Sequence, residues 1–505
     1  MSKINSAQNT DLSILDLPTV LTHIFARAQR PLLPEVQGPP GLFVRYLRRK
    51  PGRGLAVIYS VDSVNSSHRT RTNDPQRSVS LTLAEEALDG AHIRFNAAQA
   101  QQAPVEILPS GVVQAQGLGL AVQQFPADAT LPALTASCDT QPGSPLFAAL
   151  QAAARVELAD EQWSLRSAVA EPVRYKPGNR CVIRYHLSLE YANTAVERPL
   201  TLFGKVYGDA NQARAVQALQ QRLYDEQAQT GELPLLPRPL GSIDSPGLTL
   251  NEAVQPAIEA TSDRDNPWNT LRTGTRVLQP RFAHGRGGEV TGVIIPDEEL
   301  RLTAQALARL HSSTIRLATD KPRTGAKEAK RARERADLVA GRNPAQAEEV
   351  QRLAQDLATR LETAQPEDYR PAHGGFKASQ LLFHSHHVFV VDFDGFCQAD
   401  PALDVGYFLA YLRPSGLWYH RQGMRQWFEQ AAAVFRSAYR QAMSTYGLTE
   451  TGIASILDRS QLYEAALIFK IATRRVNRLN SPRPQELTAM LDEIATCLTQ
   501  DARRV

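Results

Sequence analysis

Residues 373–404, HGGFKASQLLFHSHHVFVVDFDGFCQADPALD, carry the densest group of side chains able to do chemistry. An apolar run at 388–391 delivers Asp392 to the end of a predicted strand, and Asp394 follows two residues later. Along an extended chain, residues two apart project to the same side. Two hard carboxylate oxygens in that position suit Mg²⁺ held against phosphate oxygens. The plainer alternative for Asp394-Gly395 is ordinary turn chemistry. Upstream, Gln380 offers an amide oxygen on a long arm as a further metal ligand, and Lys377 offers a cation to a phosphate. Gly375, in the middle of the loop, has no side chain and can serve as no base. Replacements within reach of the sequence are His384, His386 and His387, or Asp394; the histidines read equally as an exposed hairpin tip. No Ser/His/Asp or Cys/His spacing supports nucleophilic catalysis.

Two earlier features belong to the same chemistry. Lys205 ends the apolar strand LTLFGKV in a chain with nine lysines among 56 basic residues, the other 47 being arginine. A strand lysine of this kind can meet the phosphates of a nucleotide, or simply extend its ammonium to water. The turn KPGNR, with Lys176, Gly178 and Arg180, precedes it; free N–H groups in a Pro-Gly turn can face phosphate oxygens. As a plain hairpin turn it needs no function.

The elements that must position these residues fall into a β-rich first part and a helical second part. A short helix at roughly 12–29 is followed by VRYLRRKPGRGLAVIYSVD, a hairpin whose Pro-Gly pair is turn chemistry. SVSLTLAEEAL predicts a third strand passing into a helix, and residues 105–126 two more short strands. The same outline returns 126 residues later. Leu55, Val57 and Tyr59 follow Lys50 at the offsets at which Cys181, Ile183 and Tyr185 follow Lys176. We read this as an internal duplication of a β-rich lobe; the alternative is that two antiparallel lobes with tight turns merely look alike. Residues 257–297, rich in Gly and polar residues, predict a long irregular connection. From Leu300 onward the periodicity is helical, with Leu307, Leu310 and Thr314, then Trp427, Ala431, Val434, Phe435 and Ala438, then Leu462, Ala466, Phe469 and Val476 on shared faces.

Composition bounds the alternatives. At 505 residues there is room for two or three domains: 1–140 as an N-terminal α+β region, 141–256 as a β-rich lobe and 257–505 as a helical lobe. A net charge of +4 gives no ground for nucleic acid as a partner. Four cysteines without a CxxC or CxxH pair argue against a zinc site or a disulfide framework and fit a reducing compartment. No signal-peptide core or membrane-length apolar run is present, so a cytoplasmic protein is the expectation.

The order KPGNRCVIRY, Lys205, LARLH, HGGFKASQLLF, VVDFDG and DPALDVGYFLAYL resembles the aminoglycoside phosphotransferase and choline kinase-like family over about 165–500. The resemblance implies an α+β, two-lobed protein-kinase-like fold: an antiparallel β N-lobe, a helical C-lobe and ATP with Mg²⁺ between them. The N-terminal β-rich region is additional and repeats the N-lobe outline. By position, Lys176, Gly178, Arg180 and Lys205 would meet ATP, Gln380 and Asp392 would hold Mg²⁺, and His373 and Asp404 would brace the loop. Lys377 and Asp394 are the remaining catalytic candidates. The family normally has Asp at position 375 to accept the proton of the acceptor hydroxyl, and Gln for Asn at 380 occurs in maltokinase-like relatives. Expected, therefore, is a kinase of a small hydroxylated acceptor with weak or atypical activity. The alternative is an inactive nucleotide-binding or scaffold protein using the N-terminal region as a partner surface. Nucleotidyl transfer is a third option without specific support. Asp400, Tyr407 and Arg413 are candidates for the acceptor site.

Overall fold

The computed structural model describes residues 21, 24, 27, 28, 41–50, 52, 54–62, 78–89, 92–231, 234–243, 247–252, 272–285, 287–315, 322–384, 386–478 and 484–502. Within these the protein is α+β and divides into two compact units. The first comprises 1–217, 239–252 and 477–481; the second comprises 218–238, 253–476 and 482–505.

The first unit contains two large antiparallel sheets, besides the short pairing of Leu88–Asp89 with His92–Ile93. One has strands β1 (Gly41–Lys50), β2 (Gly54–Asp62), β3 (Ser78–Leu83), β4 (Val105–Ile107), β5 (Val113–Ala115) and β6 (Leu120–Gln124), in the order β1-β2-β3-β6-β5-β4. The other has β7 (Trp163–Lys176), β8 (Arg180–Tyr191), β9 (Glu197–Val206), β10 (Pro239–Ile243) and β11 (Leu248–Glu252), in the order β7-β8-β9-β11-β10. Apart from β4 at one edge, the two orders are the same. The hairpins agree in register as well: Lys50 pairs with Gly54 and Lys176 with Arg180. In the second turn the Asn179 N–H donates to the Lys176 carbonyl at 3.0 Å, with Gly178 at φ +66°. That is the geometry Pro followed by Gly favours. Alternation then buries Leu55, Val57 and Tyr59 in one core and Cys181, Ile183 and Tyr185 in another.

Three expectations change here. After β3 there is only a single 3-10 turn, Glu85–Ala87, rather than a helix; Gly90 and the strand-forming His92-Ile93 follow too soon for one to grow. The 105–126 stretch forms three strands, not two. The stretch read as irregular contains a hairpin, Arg281–His284 with Val290–Ile294, whose Gly-rich turn masked a short alternation. Residues 257–271 of that stretch, and most of the predicted 12–29 helix, lie outside the described residues.

The second unit is helical around one core. Its main helices are α1 (Asp297–Ser312), α2 (Gly325–Arg342), α3 (Ala347–Thr363), α4 (Ala402–Leu412), α5 (Met424–Thr445), α6 (Glu450–Val476) and α7 (Pro484–Ala502). Helix α4 is buried on nearly every side, which suits its continuous apolar sequence. Its Gly406 lies against the α6 backbone, where a Cβ would collide with the Ser460 carbonyl. The hairpin β12 (Leu381–His384) and β13 (His387–Val390) stands on this helical base and carries the candidate residues.

Candidate active site

The loop before β12 is fixed by one buried carboxylate. Asp404, on the first turn of α4, accepts the His373 N–H at 2.6 Å and the Phe376 N–H at 3.5 Å. Nε2 of His311 on α1 stands 3.5 Å from the same carboxylate, and its Nδ1 meets the Tyr439 hydroxyl at 2.7 Å. Burial works against the charge on Asp404, yet His311 and His373 hold its carboxyl below the usual range. Burial lowers His373 in turn, and its Nε2 faces the Val391 carbonyl at 3.1 Å. The neutral ring thus donates to the strand that ends at Asp392. At Gly374 (φ +72°) a Cβ would collide with the Gly395 carbonyl, so glycine is required there. Gly375 differs: its backbone is ordinary, and a Cβ would meet no atom within 4 Å.

Asp392 sits at φ +73°, ψ +51°, a left-handed conformation uncommon outside glycine that costs about 1–2 kcal/mol. Gln380 is buried, and its Nε2 donates to Asp392 Oδ2 at 3.2 Å. Its Oε1 is also buried and has no hydrogen-bond partner. The amide presents Nε2 to that carboxylate; turned over, its Oε1 and Asp392 would make a pair of hard oxygens suited to a small divalent cation. The residues present therefore fit Mg²⁺, although among the described residues no cluster of three His, Cys, Asp or Glu forms a metal cage.

The remaining loop candidates are less concentrated. Lys377 is half-buried, with Nζ 3.4 Å from the Gly375 carbonyl and 6.0 Å from the Tyr411 ring centre. Asp394 is exposed within the 3-10 turn Phe393–Gly395. The extended backbone that would align it with Asp392 is absent, because Asp392 itself breaks the strand. His386 is exposed beside Glu298, and His384 and His387 flank the hairpin tip.

In the first unit, Lys205 is half-buried near the end of β9, paired in register with Val182 and Thr249, its Nζ 5.3 Å from the Tyr207 ring centre. Thr249 is buried and its hydroxyl has no partner. The Lys176–Arg180 turn is not an open cradle. The Gly178 N–H donates to Asp128 Oδ2 at 2.8 Å, and the Tyr175 hydroxyl to the same oxygen at 2.8 Å. The other oxygen takes the N–H groups of Thr130 and Leu131. One donor that the sequence offered to a phosphate is thus already committed.

Asp400 and Arg413 are held in buried ion pairs: Asp400 with Arg459 at 2.7 Å, Arg413 with Glu464 at 2.5 Å. A role in acceptor binding does not suit groups already neutralised in the core. Tyr407 is buried, its hydroxyl donating to Glu328 at 3.0 Å and accepting from Arg323 at 2.8 Å. Arg323 also donates to the Gly374 carbonyl at 2.7 Å and pairs with Glu328 at 2.9 Å. Sequence reasoning passed over Arg323, Glu328 and His311. Their partners Gly374, Asp404, Tyr407 and Tyr439 lie 51 to 128 residues further along, and no local pattern links them.

Residues 281–444 match the family model described as the phosphotransferase enzyme family, a span that includes the loop, the hairpin and α1 to α5. The resemblance read from the motifs is thereby shown for the segment that carries LARLH, HGGFKASQLLF, VVDFDG and DPALDVGYFLAYL, while KPGNRCVIRY and Lys205 lie outside it. No curated protein matches the chain. Among solved structures, a glucosamine kinase in complex with glucosamine, ADP and inorganic phosphate is 17% identical, covering 93% of this chain and 95% of its own, with a TM-score of 0.41. A putative fructosamine-3-kinase from Haemophilus somnus is 13% identical, covering 70% of this chain and 97% of its own (TM-score 0.37). A choline/ethanolamine kinase family protein from Mesorhizobium loti is 13% identical, covering 62% and 84% (TM-score 0.33).

Proposed function

We propose that this chain binds ATP with Mg²⁺ and transfers a phosphoryl group to a hydroxyl of a small molecule, slowly because Gly375 supplies no base. The supporting observation is the buried Gln380 beside Asp392, its Nε2 on the carboxylate and its Oε1 unsatisfied among the described residues, next to an Asp392 held in a left-handed conformation. These two residues would hold the ion, which supplies charge neutralisation to the phosphates. Asp404, His311 and His373 keep the loop in place behind them. Lys205, Lys176 and Arg180 are the cations of the first unit assigned to the nucleotide. Gly178 contributes turn geometry, its N–H being taken by Asp128.

A second reading, a nucleotide-binding protein without turnover, rests on Gly375 itself. A positioned general base contributes about 10²–10⁴-fold to such a reaction. Calorimetry with and without Mg²⁺ tests the site: Mg-dependent ATP binding in the wild type, lost in Asp392→Ala, is the expected result. Failure of the wild type to bind any nucleotide would sink both readings. Gly375→Asp separates them, because the space over Gly375 accepts a side chain. Turnover rising about a hundredfold in that variant supports attenuated transfer; no turnover in either form supports the second reading.

A further inference from the structure

The helical unit holds a group of cations beside the loop that the metal and nucleotide assignments leave unused. Arg323 reaches the loop directly, through the Gly374 carbonyl at 2.7 Å. Behind it stand Arg335, which donates to the Ala466 carbonyl at 3.2 Å, and Lys470, 5.7 Å from the centre of the Tyr407 ring. Arg474, one turn further along α6, lies 3.5 Å from the Tyr411 hydroxyl, and Lys377 approaches the same Tyr411 ring from the loop.

Charge is not balanced in this group. Glu328 is the acid facing it, and that carboxylate is already shared by Arg323 at 2.9 Å and Arg331 at 2.5 Å. Burial opposes its charge, but Arg323 and Arg331 hold its pKa down at about 2, so it stays ionised. Arg335, Lys470 and Arg474 have no carboxylate within ion-pair distance among the described residues. Lys470 is the sharpest case: mostly buried, it makes no hydrogen bond or ion pair among the described residues. Burial, and then Arg474, Arg335 and Arg323, push its pKa down to about 8. A buried ammonium surrounded by like charges is costly unless an anion joins it. Two aromatic rings, Tyr407 and Tyr411, line the same place.

Resting on the phosphotransferase reading, we propose that Lys470, Arg474 and Arg335, with Lys377 at the loop edge, form a subsite for an anionic group on the acceptor. The substrate class is then a small hydroxylated compound carrying a carboxylate or a phosphate ester. Lys377 lies in the loop three residues before Gln380, but Lys470 and Arg474 project from α6 and Arg335 from α2, whereas Gln380 and Asp392 flank the hairpin. That separation favours the acceptor over the nucleotide as the source of the anion.

The test uses the full-length chain with saturating Mg·ADP and four matched probes: glucose, glucosamine, glucuronate and glucose 6-phosphate, followed by calorimetry. Glucuronate or glucose 6-phosphate should bind at least tenfold more tightly than glucose and glucosamine. Lys470→Met and, separately, the exposed Arg474→Gln should erase that preference while leaving ADP affinity within twofold. The preference should also weaken from pH 7 to pH 9 as the Lys470 ammonium loses its proton, while the neighbouring Arg323 and Arg335 keep their charge and Glu328 stays ionised over that range. Equal or tighter binding of glucosamine, no preference among the four, or binding by none of them overturns the proposal. So does a tenfold loss of ADP affinity in the two variants, which would assign the cations to the nucleotide. Failure of the wild type to bind Mg·ADP at all is the separate failure of the phosphotransferase reading.

Discussion

The two large sheets of the first unit share strand order, hairpin register and the Lys-Pro-Gly turn, yet differ at the position that the proposed function assigns to the nucleotide. Ala56 pairs with Thr82 in one sheet, as Val182 pairs with Lys205 in the other. Opposite Thr82 lies Ala121; opposite Lys205 lies Thr249, buried with an unpartnered hydroxyl. Both turns are tied to an acid from outside the hairpin, but with different strength. Glu85 accepts from Gly54 and pairs with Arg49 at a partly exposed site, whereas Asp128 is fully buried and accepts six hydrogen bonds. A repeated topology thus sets where a strand residue stands, and the residue itself decides whether the place has chemistry.

The largest expected effect is on nucleotide binding. Lys205→Met should cost at least a hundredfold in Mg-ATP affinity by calorimetry, about 2.8 kcal/mol, while Thr82→Lys should bring no second binding event. If Thr82→Lys rescued Lys205→Met, the two sheets would be interchangeable and the distinction would fall. Next come the acids under the turns. Asp128→Ala strands several buried donors and should lower stability to urea by about 3 kcal/mol, whereas Glu85→Ala should cost less than about 1 kcal/mol. Equal costs would show that both turns are held alike.

A smaller effect separates the strand interiors. Gly204 leaves room for the Tyr185 ring, because a Cβ there would lie 2.7 Å from Tyr185 Cε2. The matching position in the first sheet is Leu81, paired with Val57 as Gly204 is paired with Ile183. Gly204→Ala should therefore destabilise by about 1–3 kcal/mol through overpacking, and much less in a Tyr185→Leu background.

Much of this architecture was legible because it is local. A Pro-Gly pair sets a turn, alternation on either side sets a buried face, and Trp427, Ala431, Phe435 and Ala438 share a helix face by spacing alone. What could not be read was the pairing of polar groups across distance. Asp400 and Arg413 were acceptor-site candidates because such folds build that site from the helical lobe; Arg459 and Glu464, more than 50 residues away, neutralise them. Asp394 was misplaced for a different reason: the left-handed Asp392 ends the strand one residue too early for the two carboxylates to align. The occupant of the Gly178 N–H, Asp128, precedes it by 50 residues and lies in a segment with no motif of its own.

The open space over Gly375 has a consequence for how such a chain can change. Its neighbour Gly374 is fixed by the Gly395 carbonyl, so selection for folding guards that position. At 375 folding is indifferent: a side chain can come or go without repacking anything around it. Under the proposed function, catalytic competence would be a detachable trait of this scaffold, gained or lost at 375 in a single step with no misfolded intermediate.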